Sequence, residues 1–211
     1  MSSFYDFYGL LVQEASGANA VFGEFFIRAV HVRWIQLGGA MVVPIWPNRE
    51  REYYEDIITK VNGIYLPGGG TDPLDSYYGR GVKILMELVM RENDRGVHMP
   101  VWAICLGLQS LLCHRVGKIV TLNGVDEKNR NTALEPAKDF EDSFLKKNIP
   151  SDILSIMLNN EILPHHHNNC ITTKTFNSSP EMNEFFKLVS VNTTRDGTEY
   201  VATIEGTVDK R

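Results

Sequence analysis

The chain has 211 residues, of which 43% are hydrophobic and 22% charged, as is typical of a globular protein large enough for a buried core. Its net charge of −5 and isoelectric point near 5.7 argue against nucleic acid or an anionic membrane as partners. No apolar run approaches the ~20 residues that a membrane-spanning helix needs. The three cysteines form no disulfide framework, and their odd number favours a reducing compartment.

Short apolar segments alternate with segments of helical periodicity along the first half of the chain. The predicted strands cover residues 8–13, 40–45, 64–66 and 99–104, and the predicted helices cover residues 20–37, 50–60 and 77–91. Strands joined by single helices require right-handed crossovers, which make the strands parallel and place helices on both faces of the sheet. We therefore expect an α/β fold, a three-layer αβα sandwich with a mainly parallel sheet.

The second half of the chain has a different texture. Residues 125–150 are charged and irregular, which indicates a surface excursion and not a second domain. A short helix is predicted at residues 151–158. Two late strands, at residues 185–191 and 200–204, lie on either side of a turn sequence, which favours an antiparallel pair.

The predicted strand at residues 64–66 ends in a proline and three consecutive glycines, Gly68-Gly69-Gly70. A glycine run lets the backbone turn and expose its N–H groups. Acyl transfer needs such donors because negative charge develops on the carbonyl oxygen of the substrate during attack. Gly69 or Gly70 is therefore a candidate donor for an oxyanion hole, and a flexible loop is the alternative.

A second signal lies farther along the chain, where the predicted strand at residues 99–104 runs into Cys105 and then a tight turn at Leu106-Gly107. A strand–Cys–helix elbow projects the thiol above the carboxyl edge of the sheet, at the amino terminus of a helix whose field favours a thiolate. We predict that Cys105 is a nucleophile with a lowered pKa and that the N–H of Leu106 belongs to the oxyanion hole. A buried cysteine that packs as a small hydrophobe is the alternative.

Several segments follow one another in the order of a known family, namely residues 8–14, 38–45, 62–72, 100–109 and 203–206. They resemble the gamma-glutamyl hydrolases of the class I glutamine amidotransferase-like superfamily. The resemblance implies a flavodoxin-like fold, in one domain over residues 1–211. It also implies a hydrolase that cuts gamma-glutamyl bonds, typically in the polyglutamate tail of folates. The segment from Cys105 to Gln109 has the pattern Cys-x-Gly-x-Gln, and the resemblance makes Gln109 a candidate for substrate binding.

Three consecutive histidines, His165 to His167, stand in the second half of the chain. Successive residues of an extended segment point to alternate faces, so only His165 and His167 share a side. A zinc site is not expected because no Cys-x-x-Cys or His-x-x-x-His accompanies them, and we expect neither metal nor cofactor. A solvated loop is the alternative. The resemblance implies that His167 lies beside the active-site cleft, with His165 behind it as a substrate-binding candidate.

The carboxyl end of the sequence departs from the family pattern. Gamma-glutamyl hydrolases place the catalytic base in a Trp-His-Pro-Glu type of motif, shortly after the segment that matches residues 204–206, whereas this sequence stops at Arg211. We therefore expect that the base, its acidic partner and the closing helix are missing. His114 is no substitute, because nine residues of helix place it ~13 Å from Cys105. His167 is the candidate substitute base.

Two classes of function follow from these observations. The first is a cysteine hydrolase for gamma-glutamyl bonds whose activity is impaired by the missing base. The second is a catalytically inactive pseudoenzyme that serves as a structural or binding component of a larger assembly. A glutamine amidotransferase domain that feeds ammonia to a synthetase is a third and weaker alternative, because no synthetase domain is attached.

The sequence also predicts localisation and partners. The first residues lack the basic and apolar regions of a signal peptide, which favours the cytoplasm. Two glycosylation-type sequons, at Asn177 and Asn192, would instead suit a lysosomal or secreted protein whose signal peptide has been removed. A shortened carboxyl end would uncover apolar surface, which predicts a homo-oligomer or a component of a larger protein assembly. The expected ligand is a small gamma-glutamyl molecule, without nucleic acid or membrane.

Overall fold

The computed structural model describes residues 6–207 of the chain. Its internal contacts divide the chain into two compact units, Met1–Ile119 and Val120–Arg211, called the first and the second unit below. The prediction of one domain over residues 1–211 stays a prediction. Most of the amino-terminal segment on which the signal-peptide expectation rests lies outside the described residues.

The first unit alternates strands and helices much as the sequence predicts. Its strands are β1 (Phe7–Leu11), β2 (Gln13–Glu14), β3 (Phe25–Phe26), β4 (Met41–Ile45), β5 (Gly63–Leu66) and β6 (Val101–Ala103). Its helices are α1 (Ala29–Leu37), α2 (Arg51–Ile58), α3 (Tyr77–Asp94) and α4 (Leu106–Val116), with a 3-10 helix at Gly17–Phe22. The predicted elements are confirmed except for the helix at residues 20–37.

That predicted helix is wrong in its first half. The 3-10 helix ends at Gly23, whose φ of 146° is a conformation that other L-residues rarely adopt. The chain then turns back, and β3 pairs antiparallel with β2, with Phe26 opposite Gln13. The α-helix begins only at Ala29, because Phe22 belongs to the 3-10 helix, and Phe25 and Phe26 belong to this short ribbon.

The central sheet of the first unit is parallel, and its strands lie in the order β4-β1-β5-β6. The first strand thus stands between the second and third main strands of the chain, as in the flavodoxin-like arrangement. The strand order reverses between β1 and β5, and the carboxyl ends of these two strands form the edge where such folds bind ligands. The predicted α/β fold class with a mainly parallel sheet is confirmed.

Helices cover both faces of this sheet. On one face, Leu85 and Leu88 of α3 are fully buried in the larger core, together with side chains of α2 and α4. Each buried leucine contributes about 2 kcal/mol of hydrophobic free energy. On the other face, Ile35 of α1 packs against Leu10 and Tyr65 of the sheet. The two cores make three layers, as expected.

The amino terminus of α3 is tied to the ribbon that follows β1. Ser76 caps the helix by accepting a hydrogen bond from the N–H of Gly79 at 2.9 Å. The carboxylate of Glu14, in β2, accepts bonds from the N–H groups of Tyr77 and Tyr78 at 2.8 and 3.2 Å. A negative charge at this end also suits the helix dipole. These bonds hold the ribbon at the carboxyl edge of the sheet.

The second unit is built from short strands, one long hairpin and four short helices among the described residues. Its strands are β7 (Leu122–Asn123), β8 (Arg130–Thr132), β9 (Glu135–Pro136), β10 (Leu163–His165), β11 (Asn169–Cys170), β12 (Phe186–Thr193) and β13 (Glu199–Gly206). Its helices are α5 (Phe144–Asn148), α6 (Ser151–Asn159), α7 (Thr173–Asn177) and α8 (Pro180–Phe185). Strands β12 and β13 pair antiparallel, so the predicted late hairpin is confirmed.

The charged segment at residues 125–150 is not the surface excursion that its composition predicts. Val125, Leu134 and Phe140 are buried, and the carboxylate of Glu127 is fully buried as well. The segment therefore contributes side chains to the core of the second unit, although many of its other residues, such as Asp126 and Glu141, are exposed. A charged composition predicts exposure, but a charged side chain can be buried when other groups pair with it. The sequence does not show which groups those are.

Candidate active site

Cys105 occupies a strained position between β6 and α4. Its φ of 53° and ψ of −107° place a non-glycine residue in the left-handed half of conformational space, which costs free energy and persists only when the surroundings enforce it. On the amino-terminal side, the N–H of Ile104 donates to the carbonyl oxygen of Leu66 at 2.9 Å. On the helical side, the N–H of Gln109 donates to the carbonyl oxygen of Cys105 at 2.9 Å. The predicted elbow is confirmed.

Two glycines allow the elbow to pack against β5. A Cβ at Gly107 would lie 2.9 Å from the Cβ of Leu66 and closer still to its carbonyl oxygen. A Cβ at Gly68 would lie 3.0 Å from the Cβ of Cys105. Both positions therefore need a residue without a side chain, and the close approach brings the glycine loop beside the thiol.

The glycine loop and the start of α4 supply N–H donors around the sulfur. The backbone N–H groups of Leu106 and Gly69 face the thiol of Cys105 and act to lower its pKa. Gly70 is exposed, and a Cβ there would meet nothing within 4 Å. The structure thus brings Gly69, Leu106 and Cys105 together, and the oxyanion roles of Gly69, Gly70 and Leu106 stay predictions.

A residue that the sequence analysis did not single out holds this loop in place. The amide Nε2 of the buried Gln13 donates to the carbonyl oxygen of Gly68 at 2.8 Å and to that of Pro67 at 3.3 Å. A Cβ at Gly69 would overlap the amide of Gln13. The only sequence signal is a polar residue at the end of an apolar strand.

The expectation of a lowered pKa for Cys105 is wrong. Burial raises the pKa of the thiol above its ordinary value of 9.0, and this effect exceeds the opposing effects of the Leu106 N–H, the Arg28 guanidinium and the Gly69 N–H. Desolvation disfavours the charged form of any acid. The resting side chain at neutral pH is therefore a thiol and not a thiolate.

Other side chains near the elbow are held by partners of their own. The buried Tyr78 donates its hydroxyl to the carbonyl oxygen of Pro67 at 2.9 Å. Gln109 lies one turn into α4 and is buried, so its role in substrate binding stays a prediction.

The histidines of the first unit are engaged elsewhere. Nδ1 of His31 lies 2.9 Å from the hydroxyl of Tyr65, and Nε2 of His114 donates to the carbonyl oxygen of Gly79 at 2.7 Å. His98 is exposed before β6. Among residues 6–119, no histidine forms a hydrogen bond to Cys105. A general base for the thiol is thus not found in the described part of the first unit.

The triple histidine is more ordered than a solvated loop. Its residues alternate as predicted, with His166 exposed and the other two half-buried. His165 lies 3.0 Å from the hydroxyl of Tyr200 through Nδ1 and 2.8 Å from the hydroxyl of Thr132 through Nε2. The ring centroid of His167 is 5.6 Å from that of His165 and 5.2 Å from that of Tyr200. The solvated-loop alternative is wrong for these two side chains.

His165 and His167 belong to the second unit, and burial lowers the pKa of each imidazole. A neutral imidazole is the form that accepts a proton, so both rings are suited to act as bases near neutral pH. The assignments of His167 as a base for Cys105 and of His165 to substrate binding stay predictions from the family resemblance.

A buried ion pair supports the loops around these histidines. The carboxylate of Glu127 accepts hydrogen bonds from Nη1 of Arg130 at 2.7 Å and from the backbone N–H of Arg195 at 2.8 Å. Arg130 also donates to the carbonyl oxygen of Thr193 at 2.6 Å. In the sequence, Glu127 is one residue of a charged run. Its burial could not be inferred without the hairpin that supplies its partners.

Three further observations concern sites that the sequence raised. Among the residues that the structure describes, no group of three or more His, Cys, Asp or Glu side chains is arranged to hold a metal ion. No helix between residues 6 and 207 is both long and apolar enough to cross a bilayer. Asn192 is buried and donates to Thr132, so the second sequon is not an exposed glycosylation acceptor in the folded chain.

The first unit combines a parallel sheet, a strand–Cys–helix elbow and a glycine loop beside the thiol. These features define a protein of the class I glutamine amidotransferase-like kind. Residues 10–177 match the Peptidase C26 family. The chain belongs to this family, and the resemblance to gamma-glutamyl hydrolases is confirmed.

The chain is also similar to curated proteins that are named gamma-glutamyl hydrolases. The chain is 32% identical to the gamma-glutamyl hydrolase of Mus musculus over 94% of its own length and 62% of the relative. It is 29% identical to gamma-glutamyl hydrolase B of Dictyostelium discoideum, covering 93% of this chain and 57% of that one. The chain thus spans about three-fifths of the length of the curated relatives it matches. The solved structure of SMU.1228c shares the fold, with a TM-score of 0.53, 14% identity and coverage of 94% of this chain and 71% of that one.

Proposed function

We propose that this protein is a cysteine hydrolase for gamma-glutamyl bonds, with the polyglutamate tail of folates as its substrate. The observation that carries the proposal is the strained elbow at Cys105, which packs against the glycine loop at Gly68. The N–H groups of Gly69 and Leu106 lie beside its thiol. The names of the curated relatives support gamma-glutamyl compounds as the substrate class.

The arrangement suits acyl transfer. The sulfur of Cys105 attacks the gamma-carbonyl carbon, a C–S bond forms, and the carbonyl electrons move to the oxygen. The two N–H groups stabilise that oxyanion. When the carbonyl re-forms, the C–N bond breaks and the amine leaves with the proton that the thiol gave up. Water then cleaves the thioester, releasing the gamma-carboxyl group and restoring the thiol.

The proposed activity is slow. Less than about 1% of a thiol whose pKa lies above 9.0 is ionised at pH 7, and no histidine of residues 6–119 forms a hydrogen bond to the sulfur. A positioned base contributes about 10²- to 10⁴-fold to such reactions. We keep His167 as the proposed base, on the family resemblance and on the neutral state of its imidazole.

Glutamate release from a folate diglutamate tests the proposal. We expect slow release by the wild-type protein and none above background by Cys105→Ala, because the variant lacks the attacking sulfur. Circular dichroism of both proteins controls for folding. Release that is equal in the two proteins, or absent from both, would contradict a hydrolase that works through Cys105.

A catalytically inactive pseudoenzyme that binds a second copy of itself is the second candidate. It is favoured by an exposed aromatic pair, since Trp34 of α1 and Trp102 of β6 are 47% and 51% exposed with ring centroids 5.2 Å apart. Exposed apolar surface of this kind is common at partner sites. Sedimentation velocity tests it: we expect a dimer that Trp102→Ser dissociates, and a wild-type monomer at tens of micromolar would contradict it.

A further inference from the structure

A cleft of about 610 Å³ opens beside the ribbon that follows β1. Five of the residues that line it carry polar or aromatic side chains, namely Glu14, Glu24, Phe25, Asn48 and Tyr77. Three others are small, namely Ala15, Ala20 and Gly23. All of these residues belong to the first unit. Clefts that bind small molecules usually have volumes of about 300–1,000 Å³, so this one is large enough for a ring system.

Part of the cleft is aromatic. The ring centroid of Phe25 lies 6.4 Å from that of Tyr77 and 5.9 Å from that of Trp46, which it meets edge-on. Tyr77 and Trp46 remain 47% and 41% exposed, although the guanidinium of Arg80 lies over the Tyr77 ring at 4.8 Å. Neighbouring rings that keep this much exposed surface are suited to pack against a flat ring of a ligand, because aromatic pairs gain free energy beyond that of area burial.

The polar side chains of the cleft accept hydrogen bonds and carry negative charge. The carboxylate of Glu24 is exposed, and within residues 6–207 no ion pair involves it. The carboxylate of Glu14 accepts bonds from the N–H groups of Tyr77 and Tyr78. Among the described residues that line the cleft, none is Lys or Arg. The chemistry therefore favours an uncharged or cationic ligand with N–H groups and disfavours an anion.

The ribbon connects the cleft to the nucleophile. Glu14 lines the cleft, and its neighbour in β2, Gln13, donates to the carbonyl oxygen of Gly68 at 2.8 Å. Gly68 packs against Cys105, because a Cβ at residue 68 would lie 3.0 Å from the Cβ of the cysteine. Two adjacent residues of one strand thus line the cleft and hold the loop beside the thiol.

Helix α3 makes a second connection. Tyr77 lines the cleft, and the next residue, Tyr78, donates its hydroxyl to the carbonyl oxygen of Pro67 at 2.9 Å. Pro67 directly precedes Gly68 in the chain. A ligand in the cleft would therefore lie next to the glycine loop from which the oxyanion donors are expected.

We propose that this cleft binds the uncharged aromatic end of the substrate and so selects gamma-glutamyl compounds that carry an aromatic group. The polyglutamate tail has a carboxylate on every residue, and the charges of Glu14 and Glu24 repel it. The aromatic end of a folate is flat, carries N–H groups and has no negative charge. It therefore matches the rings of Phe25 and Tyr77 and the free carboxylate of Glu24. The identification of the aromatic group as part of a substrate rests on the proposed function.

Calorimetric titration with two probes tests the cleft without requiring turnover. Folic acid carries the aromatic end and a single glutamate, whereas gamma-glutamylglutamate carries the gamma-glutamyl bond without an aromatic group. We expect the wild-type protein to bind folic acid at least about tenfold more tightly than gamma-glutamylglutamate. Phe25→Leu and Tyr77→Leu should each raise the dissociation constant for folic acid about fivefold, as the loss of one aromatic contact implies. Neither variant should change the binding of gamma-glutamylglutamate.

Phe22→Leu is the matched control, because Phe22 is 89% exposed on the neighbouring 3-10 helix and does not line the cleft. Its affinity for folic acid should equal that of the wild type. Glu24→Gln tests the charge and should raise the dissociation constant for folic acid about threefold, because the amide keeps one acceptor oxygen and loses the negative charge. Tyr77 and Glu24 are exposed, so their replacement leaves the core intact, and circular dichroism checks the fold of every variant.

The proposal would be overturned by a wild type that binds the two probes equally or does not bind folic acid. Unchanged binding of folic acid in both Phe25→Leu and Tyr77→Leu, or an equal loss in Phe22→Leu, would overturn it as well. In the folate diglutamate assay, Phe25→Leu should raise KM more than it lowers kcat. A wild type that binds folic acid through the cleft but releases no glutamate would refute the hydrolase and leave the cleft as a site for aromatic groups. Release of glutamate with an unchanged KM in Phe25→Leu would keep the hydrolase and refute the cleft.

Discussion

Gly107 of α4 lies against Leu66 of β5 so closely that a Cβ at residue 107 would be 2.9 Å from the leucine Cβ and nearer still to its carbonyl oxygen. Gly107→Ala must therefore displace the start of α4 or the end of β5, and overpacking of this kind costs about 1–3 kcal/mol. We expect urea denaturation to show that loss of unfolding free energy, together with a lower alkylation rate at Cys105.

Gly70→Ala is the matched control for that substitution. A Cβ at residue 70 meets nothing within 4 Å and requires no unusual φ. The free energy of unfolding should change by less than about 0.5 kcal/mol. A Gly107→Ala protein as stable as the Gly70→Ala protein would show that the contact with Leu66 does not position the elbow.

The raised pKa of Cys105 predicts a particular pH profile. A pKa above 9.0 means that the thiolate fraction grows about tenfold per pH unit through the neutral range. The rate of iodoacetamide alkylation at Cys105 should therefore rise continuously from pH 7 to pH 9. A plateau reached below pH 8 would mean that the N–H donors and Arg28 outweigh burial after all.

The same experiment ranks the three thiols. Cys105 is half-buried, whereas Cys113 and Cys170 are buried, and burial raises the pKa of Cys170 to about 11. Cys105 should be labelled first at every pH between 7 and 9, because its side chain is the most accessible of the three. Equal labelling of all three in the folded protein would contradict the elbow as the exposed position.

Glu127 is predicted to be important for the stability of the second unit. Glu127→Gln removes the charge that faces Arg130 inside the protein and should cost about 2–4 kcal/mol of unfolding free energy. Asp56→Asn is the control, because the ion pair of Asp56 with Lys60 is exposed, and its loss should cost less than about 0.5 kcal/mol. Chemical denaturation measures both. Similar losses of unfolding free energy in the two variants would contradict the argument that the burial of Glu127 makes its ion pair more important for stability.

Arg28→Asn tests the cap of α1. An N-cap asparagine can accept a hydrogen bond from the first turn of α1, and the opposing charge is removed, so unfolding free energy should rise by about 0.5–1 kcal/mol. Urea denaturation measures the change. A variant that is less stable than the wild type would contradict this account of the cap.

His167 and His166 offer a matched pair for the proposed base. If His167 accepts the proton of Cys105, His167→Ala should lower the residual release of glutamate at least tenfold. His166→Ala should leave it unchanged, because that ring is exposed on the other side of the segment. Equal rates in the two variants would remove His167 from the mechanism.

The local parts of this protein were predictable from short segments of sequence. The glycine run after β5 and the turn after β6 identified the loop and the elbow, because close backbone approach needs residues without side chains at Gly68 and Gly107. The apolar periodicity of α3 and the two late strands identified those elements for a similar reason. Each of these signals lies within a dozen residues or so of chain.

The predictions that failed concern features that depend on residues far apart in the sequence. The first half of the predicted helix at residues 20–37 became a ribbon because Phe26 pairs with Gln13, and no local pattern specifies that partner. The role of Gln13 could not be predicted, since it follows from the sheet order, which brings the end of β1 beside the loop after β5. The burial of Glu127 likewise depends on Arg195, at the end of a distant hairpin.

The sequence by itself determined the alternation of strands and helices, the elbow at Cys105 and the family to which the chain belongs, because each is written in local composition and spacing. Only the tertiary structure decided the protonation state of the nucleophile. A helix amino terminus lowers the pKa of a thiol, but burial raises it, and the amount of burial is a property of everything packed around Cys105. Whether the pKa of Cys105 is raised or lowered is therefore set by the fold and not by the motif.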